Sequence, residues 1–343
     1  MLHDVYHILG LRVDGSMVST TPSTDTIRDV CSVTMDMTAE ELNEKCGTET
    51  IWQGSGVLTE RIFSTTLEAQ RPFSGHYIAY MWLLLGGSLF LDKSGNRTHH
   101  SFLHKLVVEG VLINEYSWGS ATLAYLYHQL GTTSRKDVDS IAGCLTLLQV
   151  LIYECFRPQQ GTLTRELNIP CASAWDVGSG CPNKSMERLL AFRARLDELI
   201  DCEVNWLPYG VDPARHVPPT LFTGCIQYRS IIEPYMPDRV VRQLGFVQDI
   251  PRSIISPEKA KRPTNLKMYR VEFSFEMTSV MWTRFVPGSS FSVVLGTHTR
   301  LSRRAPTVAP GYKQGLYIFS HPRVFPGGSS AGSSSLPERT STD

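Results

Sequence analysis

Apolar residues recur at helical spacing through residues 116–156, and this pattern predicts two consecutive helices. Ser117 stands where a helix N-cap is expected, and Gly131 stands where a left-handed C-terminal cap is expected. The first helix is therefore predicted over residues 117–130. Its apolar positions are Trp118, Leu123, Leu126, Tyr127 and Leu130.

The second helix is predicted over residues 135–156, after a short polar turn. Ser134 followed by Asp137 is a pattern typical of a helix N-terminus. The apolar positions that follow form one broad stripe, which we expect to pack against another element. This stripe comprises Val138, Ile141, Leu145, Leu148, Leu151 and Ile152.

The rest of the pattern extends the helical interpretation. Leu2, Val5 and Ile8, followed by Leu9, are spaced as the buried face of a helix at the start of the chain. Residues 269–275 alternate as in a strand, although a helix is an alternative there. We therefore predict a mainly α, multi-helical globular domain with a few short strands. Further helical segments are predicted near residues 57–66, 72–90, 99–107, 185–202, 220–233 and 238–246.

Two segments have unusual composition. Residues 77–91 are uncharged and almost entirely apolar, but a membrane-spanning helix needs about 20 residues. Gly86 and Gly87 also interrupt this run, so a buried core helix is favoured over a membrane span. From residue 326 onward the chain is rich in glycine and serine, which predicts a disordered C-terminal tail over residues 326–343.

The overall charge is balanced, because 33 lysine and arginine residues match 33 aspartate and glutamate residues. Any binding to nucleic acid must therefore be local. The eight cysteines include no C-x-x-C pair, which favours a reducing compartment. The N-terminus lacks the charged and apolar regions of a secretory signal peptide.

One local charge asymmetry lies at residues 252–270, where six basic residues face only Glu258. The pattern favours a solvated linker, since short basic loops are common and aromatic residues for base stacking are not interleaved. The alternative is a contact with nucleic acid. The residues predicted to make it are Lys259, Lys261, Arg262, Lys267 and Arg270.

Three patterns suggest chemistry, and each has a simpler interpretation. Residues 178–185 outline a phosphate-binding loop, but Asn183 replaces its second glycine. His3 and His7 are spaced four apart, yet no third metal ligand is evident, so partly exposed histidines are favoured. The turn at residues 92–97 is dense in hydrogen-bonding groups and favours a simple turn over a ligand site.

Several ordered motifs together resemble the plant mobile domain, a family also called aminotransferase-like or MAINTENANCE OF MERISTEMS-like. The resemblance covers roughly residues 2–251. It is carried by residues 2–5, 9–11, 13–15, 80–97, 116–121, 123–127, 134–137, 143–145, 147–149, 204–209, 239–245 and 248–251. Among these, the family-motif residues singled out are Asp92, Lys93, Gly95, Asn96, Arg97, Trp118, Gly119, Arg135, Lys136 and Asp137.

The resemblance implies a nuclear protein of transposon-derived origin with roles in meristem maintenance and transposon silencing. It also implies a nuclear protein partner, with a long-form protein phosphatase as the candidate. On this basis residues 1–251 form an N-terminally truncated plant mobile domain. Residues 252–325 form a basic linker and a poorly matched extension before the tail.

The aminotransferase-like name is not supported by recognisable chemistry. A pyridoxal-phosphate enzyme needs a Schiff-base lysine, an acid for the pyridine nitrogen and a phosphate cup, and the sequence presents none convincingly. We therefore expect no cofactor and no enzymatic activity. The interpretation is an interaction domain, and the alternative is a nucleic-acid-binding remnant of a transposon-encoded protein.

Overall fold

Helices account for most of the regular structure in the described part of the chain. The computed structural model describes residues 1–18, 29, 38, 40, 51–53, 80–93, 97–99, 102, 105–106, 115–133, 140–156, 162–163, 170–176, 186–200, 203–205, 208, 222–240, 247–248, 250, 255–261, 270–285 and 311–312. The labelled helices are α1 (Leu2–Leu9), α2 (Trp118–Thr133), α3 (Leu145–Cys155), α4 (Met186–Asp197) and α5 (Phe275–Phe285). The described part is therefore mainly α, as predicted.

Within the described residues, the strands pair as four antiparallel ribbons of two strands each. Strand β5 is fully buried and forms a tight hairpin with β6, in which Ile226 lies opposite Glu233. The four pairs are β1 (Ile51–Gln53) with β2 (Arg97–His99), β3 (Thr162–Leu163) with β4 (Trp175–Asp176), β5 (Gly224–Tyr228) with β6 (Ile231–Tyr235), and β7 (Lys259–Lys261) with β8 (Arg270–Glu272).

Two compact units divide the chain. The first comprises residues 1–237 and 254–296, and the second comprises residues 238–253 and 297–343. In the first unit, α1 packs on α2 and α3, the β5–β6 hairpin packs on α2, and α5 packs on β5. Within the second unit, the side-chain amide of Gln248 donates a hydrogen bond to the Asp238 carbonyl over 2.7 Å.

The core of the first unit is rich in aromatic rings. Phe90 stacks on Tyr228 with ring centroids 4.3 Å apart, and Phe102 lies 5.1 Å from Phe90. Tyr125 meets Tyr228 edge to face at 5.1 Å. Large aromatic side chains bury much apolar area, so this cluster is a main source of stability.

The prediction for the N-terminal helix is confirmed. Leu2, Val5 and Ile8 are each 0% exposed in α1, and Leu9 packs against the core. The backbone amide of Leu2 donates to the hydroxyl of Tyr235 over 3.0 Å, so the helix is tied to the β5–β6 hairpin.

Helix α2 is present and begins directly after Ser117, the predicted N-cap position, but its predicted C-cap is wrong. The helix continues through Gly131 to Thr133, so Gly131 does not terminate it. The Oγ atom of Ser117 is buried and has no hydrogen-bond partner in the described part of the chain. The Ser117 carbonyl accepts the first hydrogen bond of the helix, from the amide of Ala121 over 3.1 Å, as an N-cap residue does, although its side chain makes no capping bond.

The predicted helix over residues 135–156 is wrong in its first part. Residues 140–144 are not helical, and Gly143 has a φ of 98° just before α3 begins at Leu145. The predicted stripe is wrong at Ile141 and Leu145, which are 37% and 40% exposed, whereas Leu151 packs against the core as predicted. The buried residues of α3 are Leu147, Val150 and Glu154.

Three other predictions have clear outcomes. The predicted helix at residues 185–202 is confirmed as α4, whereas residues 224–233 of the segment predicted near 220–233 belong to the β5–β6 hairpin instead. Strand β8 confirms the centre of the strand predicted at residues 269–275. The tail at residues 326–343 lies outside the described residues and stays a prediction.

The apolar segment near residue 86 is helical in its described residues. Residues 80–84 are α-helical and continue into a π-helical turn, Leu85–Leu89, that contains Gly86 and Gly87. Trp82 and Leu85 are buried, as expected for a core helix. No helix in the described ranges combines the length and the hydropathy needed to cross a bilayer.

Candidate functional site

Residues 12–18 lie across the first turn of α2, and two family motifs meet there. The amide of Gly119 donates to the Arg12 carbonyl over 2.8 Å, and the hydroxyl of Ser120 donates to the Val13 carbonyl over 2.6 Å. A Cβ atom on Gly119 would stand 2.7 Å from Val13 Cγ1 and 2.8 Å from the Arg12 carbonyl oxygen. The motif glycine is therefore required by this close approach.

The same segment also holds α5. The amide of Ser16 donates to the Glu115 carbonyl, and the amide of Ser117 donates to the Ser16 carbonyl, each over 2.8 Å. Gly15 has a φ of 105°, a conformation that favours glycine, and its carbonyl accepts a hydrogen bond from Trp282 Nε1 over 2.7 Å. One short loop thus joins elements from both ends of the first unit.

The turn that begins at Asp92 contacts the α2 and α3 motifs. The amide of Gly143 donates to the Leu91 carbonyl over 2.8 Å. Burial is the main cause that raises the pKa of Tyr125 to about 12; the Asp92 carboxylate adds to this effect and Arg229 opposes it. Asp92 and Arg229 therefore both act electrostatically on the Tyr125 hydroxyl, which stays protonated.

Arg229 adopts an uncommon backbone conformation at the tip of the β5–β6 hairpin. Its φ is 53°, in the left-handed region that a two-residue hairpin turn requires. Its amide donates to the Val18 carbonyl over 2.6 Å, and its carbonyl accepts from the side chain of Gln227 over 2.6 Å. These contacts hold an arginine where asparagine or glycine is usual.

The structure brings together some of the predicted family-motif residues. Trp118 and Gly119 lie in the first turn of α2, and Asp92 and Lys93 lie in the turn near Tyr125. Arg97 lies in β2, opposite Gln53. The others lie outside the described residues: Gly95, Asn96, Arg135, Lys136 and Asp137.

The predicted nucleic-acid contacts fall partly on a ribbon of two strands. Lys259 and Lys261 belong to β7, and Arg270 belongs to β8, where it pairs with Lys261. These three residues therefore belong to paired strands. Arg262 and Lys267 lie outside the described residues.

The N-terminal histidines are buried, so the prediction that they are partly exposed is wrong. His3 is 6% and His7 is 4% exposed. Burial lowers the pKa of His3 to about 4; the neighbouring Asp4 carboxylate raises it in part, and the N-terminal amine lowers it further. His3 Nε2 lies 3.4 Å from Asp4 Oδ1, and the Met1 amine bonds the other carboxylate oxygen. The sequence signal that could have indicated this burial is the helix itself, because His3 and His7 lie among the apolar residues of the short helix α1.

Three of the described thiols have a raised pKa: those of Cys144 and Cys225, which are buried, and that of Cys155, which is partly buried. Burial raises the pKa of Cys155 to about 12, with the carboxylates of Asp4 and Glu154 adding to this effect. Burial likewise raises the pKa of Cys144 and Cys225. A protonated thiol is a poor nucleophile and a poor metal ligand. Within the described ranges, no group of three or more histidine, cysteine or acidic residues could hold a metal ion.

The outlined phosphate-binding loop at residues 178–185 lies outside the described residues and stays a prediction. The residues before it form a 3₁₀ turn, Cys171–Ala174, and the two-residue strand β4. Trp175 in that strand donates through Nε1 to Glu154 Oε1 over 2.8 Å. This contact anchors the segment to α3.

Comparison with known proteins agrees with this arrangement of motifs. The family model described as plant mobile domain matches residues 1–289. The chain belongs to the plant mobile domain family. The match extends through α5, so it includes Trp282, which donates a hydrogen bond to the Gly15 carbonyl of the early segment. No solved structure matches the chain.

Plant mobile domain relatives from Arabidopsis thaliana are longer than this chain. Protein MAIN-LIKE 1 is 28% identical over 279 residues, which cover 76% of this chain and 52% of the relative. Protein MAINTENANCE OF MERISTEMS is 30% identical over 190 residues, covering 52% and 38%. A serine/threonine-protein phosphatase 7 long form homolog is 28% identical over 275 residues, covering 73% and 20%. The chain therefore spans about half of these relatives or less.

Proposed function

We propose that the chain is a non-enzymatic interaction domain of the nucleus, of transposon-derived origin, which acts through protein partners in meristem maintenance and transposon silencing. The observation that carries the proposal is the use of the family motifs in packing. The amides of Gly119 and Gly143 and the hydroxyl of Ser120 donate hydrogen bonds to backbone carbonyls of elements that are distant in sequence. Motif residues that make packing contacts maintain the fold of the domain. A domain maintained in this way can bind protein partners through its surface.

The state of the reactive side chains supports the same proposal. The thiols of Cys144, Cys155 and Cys225 are held protonated by burial, and Tyr125 is held neutral with a pKa of about 12. Groups in these states are poor nucleophiles and poor bases at neutral pH. Among the described residues they therefore contribute to packing.

The partner proposed is a long-form serine/threonine phosphatase. The support is the relative named serine/threonine-protein phosphatase 7 long form homolog, in which a segment similar to this chain covers 20% of the length. Where one protein joins two such segments, separate chains of the same kinds are candidates for association. A partner of this class would connect the scaffold to dephosphorylation of nuclear proteins.

The test is capture of partners from plant nuclei with the tagged full chain, followed by mass spectrometry. We expect enrichment of a serine/threonine phosphatase and a nuclear signal from a fluorescent fusion. Gly119→Arg and Gly131→Arg form a matched pair, because a Cβ clashes at Gly119 and meets nothing within 4 Å at Gly131. Capture should be lost with the first variant and kept with the second.

Two outcomes would count against the proposal. Equal capture by both arginine variants would mean that binding does not require the folded scaffold. Repeated recovery of no protein above background, or a fusion excluded from nuclei, would remove the partner and the compartment respectively.

The second candidate function is binding of nucleic acid by a remnant of a transposon-encoded protein. It is favoured by one observation, the pairing of Lys261 with Arg270 in the β7–β8 ribbon. Binding that weakens with rising salt, and weakens further after charge reversal at Lys259, Lys261 and Arg262, is the expected result. No binding at low salt would exclude it.

A further inference from the structure

Helix α4 exposes large apolar side chains to solvent. Within residues 190–198, every residue whose side chain the structure describes is exposed. Leu190 is 60% and Leu196 is 43% exposed, and Ile200, just after the end of the helix, is 59% exposed. A single exposed apolar side chain needs no explanation, whereas several on one element are typical of a surface that binds another protein.

A pair of opposite charges lies among these apolar side chains. Arg193 Nε lies 3.0 Å from Asp197 Oδ2, one helical turn further along α4. Positions 190, 193 and 197 are spaced by three and four residues, so they lie along one face of the helix, and Leu196 borders that face. Arg195 is on the opposite side, because each residue turns the helix by about 100°. The exposed face is therefore apolar with one positive and one negative charge near its middle.

The residues of this face are self-complementary about position 195. In a symmetric antiparallel pair of identical helices, each residue on one side of the centre meets the residue equally far on the other side. Arginine would then meet aspartate, and apolar residues would meet apolar residues. The positions related in this way are Arg193 with Asp197, Ala194 with Leu196, and Leu190 with Ile200.

We propose that α4 is a dimerisation surface, on which a second copy of this chain docks its own α4 in antiparallel orientation. Because the pair is two-fold symmetric, each contact occurs twice, and Arg193 of either copy faces Asp197 of the other. A parallel pair would place Arg193 against Arg193 and Asp197 against Asp197, and such like-charge contacts are unfavourable. The charges therefore select a second copy as the occupant and the antiparallel orientation as its direction.

The size of the surface indicates a weak dimer. Helix α4 has 12 residues and is therefore about 18 Å long. A stable protein interface buries about 1,600 Å² in total, and one face of so short a helix supplies only part of that area. We therefore expect a dissociation constant in the micromolar range. The charges at the centre stay close to solvent, so the affinity should fall as the salt concentration rises.

The experiment is sedimentation velocity of the full chain over a series of micromolar concentrations, which gives the dissociation constant of the dimer. Leu190→Glu places a charge on the apolar face and should raise this constant by at least about tenfold. Arg193→Asp places acidic residues against each other across the interface and should have an effect of similar size. Arg195→Asp makes the same change of charge at an exposed position on the opposite side of α4. It is the matched control and should leave the constant unchanged.

A mixture of two charge variants tests the pairing itself. Arg193→Asp makes the face acidic, and Asp197→Arg makes it basic, so each variant alone should be largely monomeric. An equal mixture of the two should form a heterodimer, because opposite charges then face each other in every contact. Both variants lose the ion pair within the helix. Recovery of association in the mixture therefore cannot come from repair of that ion pair.

Three results would overturn the proposal. The first is a wild-type chain that stays monomeric at the highest concentration. The second is a dimer that Arg193→Asp and Arg195→Asp weaken equally, because the effect would then follow net charge and not this face. The third is a mixture of the two charge variants that does not associate although circular dichroism shows both to be folded. If either charge variant does not fold, Leu190→Glu and Arg195→Asp provide the test, and equal dissociation constants for these two overturn the proposal.

Discussion

At the scale of single residues, Gly119 is the position where the family motif and the packing coincide. Gly119→Ala would place a Cβ atom 2.7 Å from Val13 Cγ1 and 2.8 Å from a backbone oxygen, and backbone does not move cheaply. We expect a loss of about 1–3 kcal/mol in the free energy of unfolding, measured by denaturant titration.

Gly131 provides the control for this prediction, because it lies inside α2 and a Cβ there meets nothing within 4 Å. Gly131→Ala should raise the free energy of unfolding by about 0.5–1 kcal/mol through the better helix propensity of alanine. A Gly119→Ala variant as stable as the wild-type chain would contradict the close approach of residues 12–13.

A second prediction at this scale concerns His3 and pH. Its pKa is about 4 in the folded chain, against an ordinary value of 6.5. Between these values the unfolded chain binds a proton that the folded chain does not, so the free energy of unfolding falls as the pH drops from about 6.5 to about 4. Below that range both states are protonated, and the contribution of His3 is constant.

The measurement compares the wild-type chain with His3→Gln by denaturant titration at several pH values. Carboxylates contribute to both curves, so the difference between the curves isolates His3. The variant should show a smaller slope between about pH 4 and pH 6.5. Identical slopes would mean that His3 titrates normally in the folded chain.

At the scale of elements, α3 shows why an apolar stripe in the sequence does not by itself identify the buried face of a helix. The sequence predicts that Leu145 is buried together with Leu148 and Leu151, but the buried face carries Leu147 and Val150. Eight of the eleven residues of α3 are apolar and they occur on every side of the helix, so the periodicity does not select one face. The contact with α1 and with the turn at residues 171–174 makes that selection.

This difference gives a prediction with its own internal comparison. Leu147→Ala should lower the free energy of unfolding by about 2–5 kcal/mol, because Leu147 is 3% exposed. Leu145→Ala should change it by about 0.5 kcal/mol or less, because Leu145 is 40% exposed. The reverse order in thermal unfolding would favour the stripe predicted from the sequence.

The β5–β6 hairpin is a second element that the sequence misassigned. Its turn contains Arg229 and Ser230, which carry no hairpin signal of the Asn-Gly kind. The left-handed conformation of Arg229 is held by contacts with Val18 and Gln227. A local pattern contains no information about such contacts, so helix and strand were indistinguishable there.

At the scale of the whole molecule, the first unit needs residues from beyond position 251. Trp282 is 4% exposed, meets Phe222 edge to face at 5.2 Å and donates a hydrogen bond to the Gly15 carbonyl. A fragment of residues 1–251 should therefore melt at a lower temperature than a fragment of residues 1–296, as followed by circular dichroism. Trp282→Ala in the full chain should cost about 3–5 kcal/mol.

Equal melting temperatures for the two fragments would show that the first unit folds without α5. A stable Trp282→Ala variant would lead to the same conclusion without any truncation. The two measurements together separate the loss of one side chain from the loss of the whole segment.

The sequence by itself determined the family, the positions of α1, α2 and α4, and the order of the motifs. It could do so because helical spacing and motif residues are local properties of the chain. Only the tertiary structure decided which face of α3 is buried and that residues 224–235 form a hairpin. It also decided why position 119 requires glycine. The physical reason is that each of these depends on a surface supplied by residues far away in the chain, such as Arg12 and Val13 for Gly119.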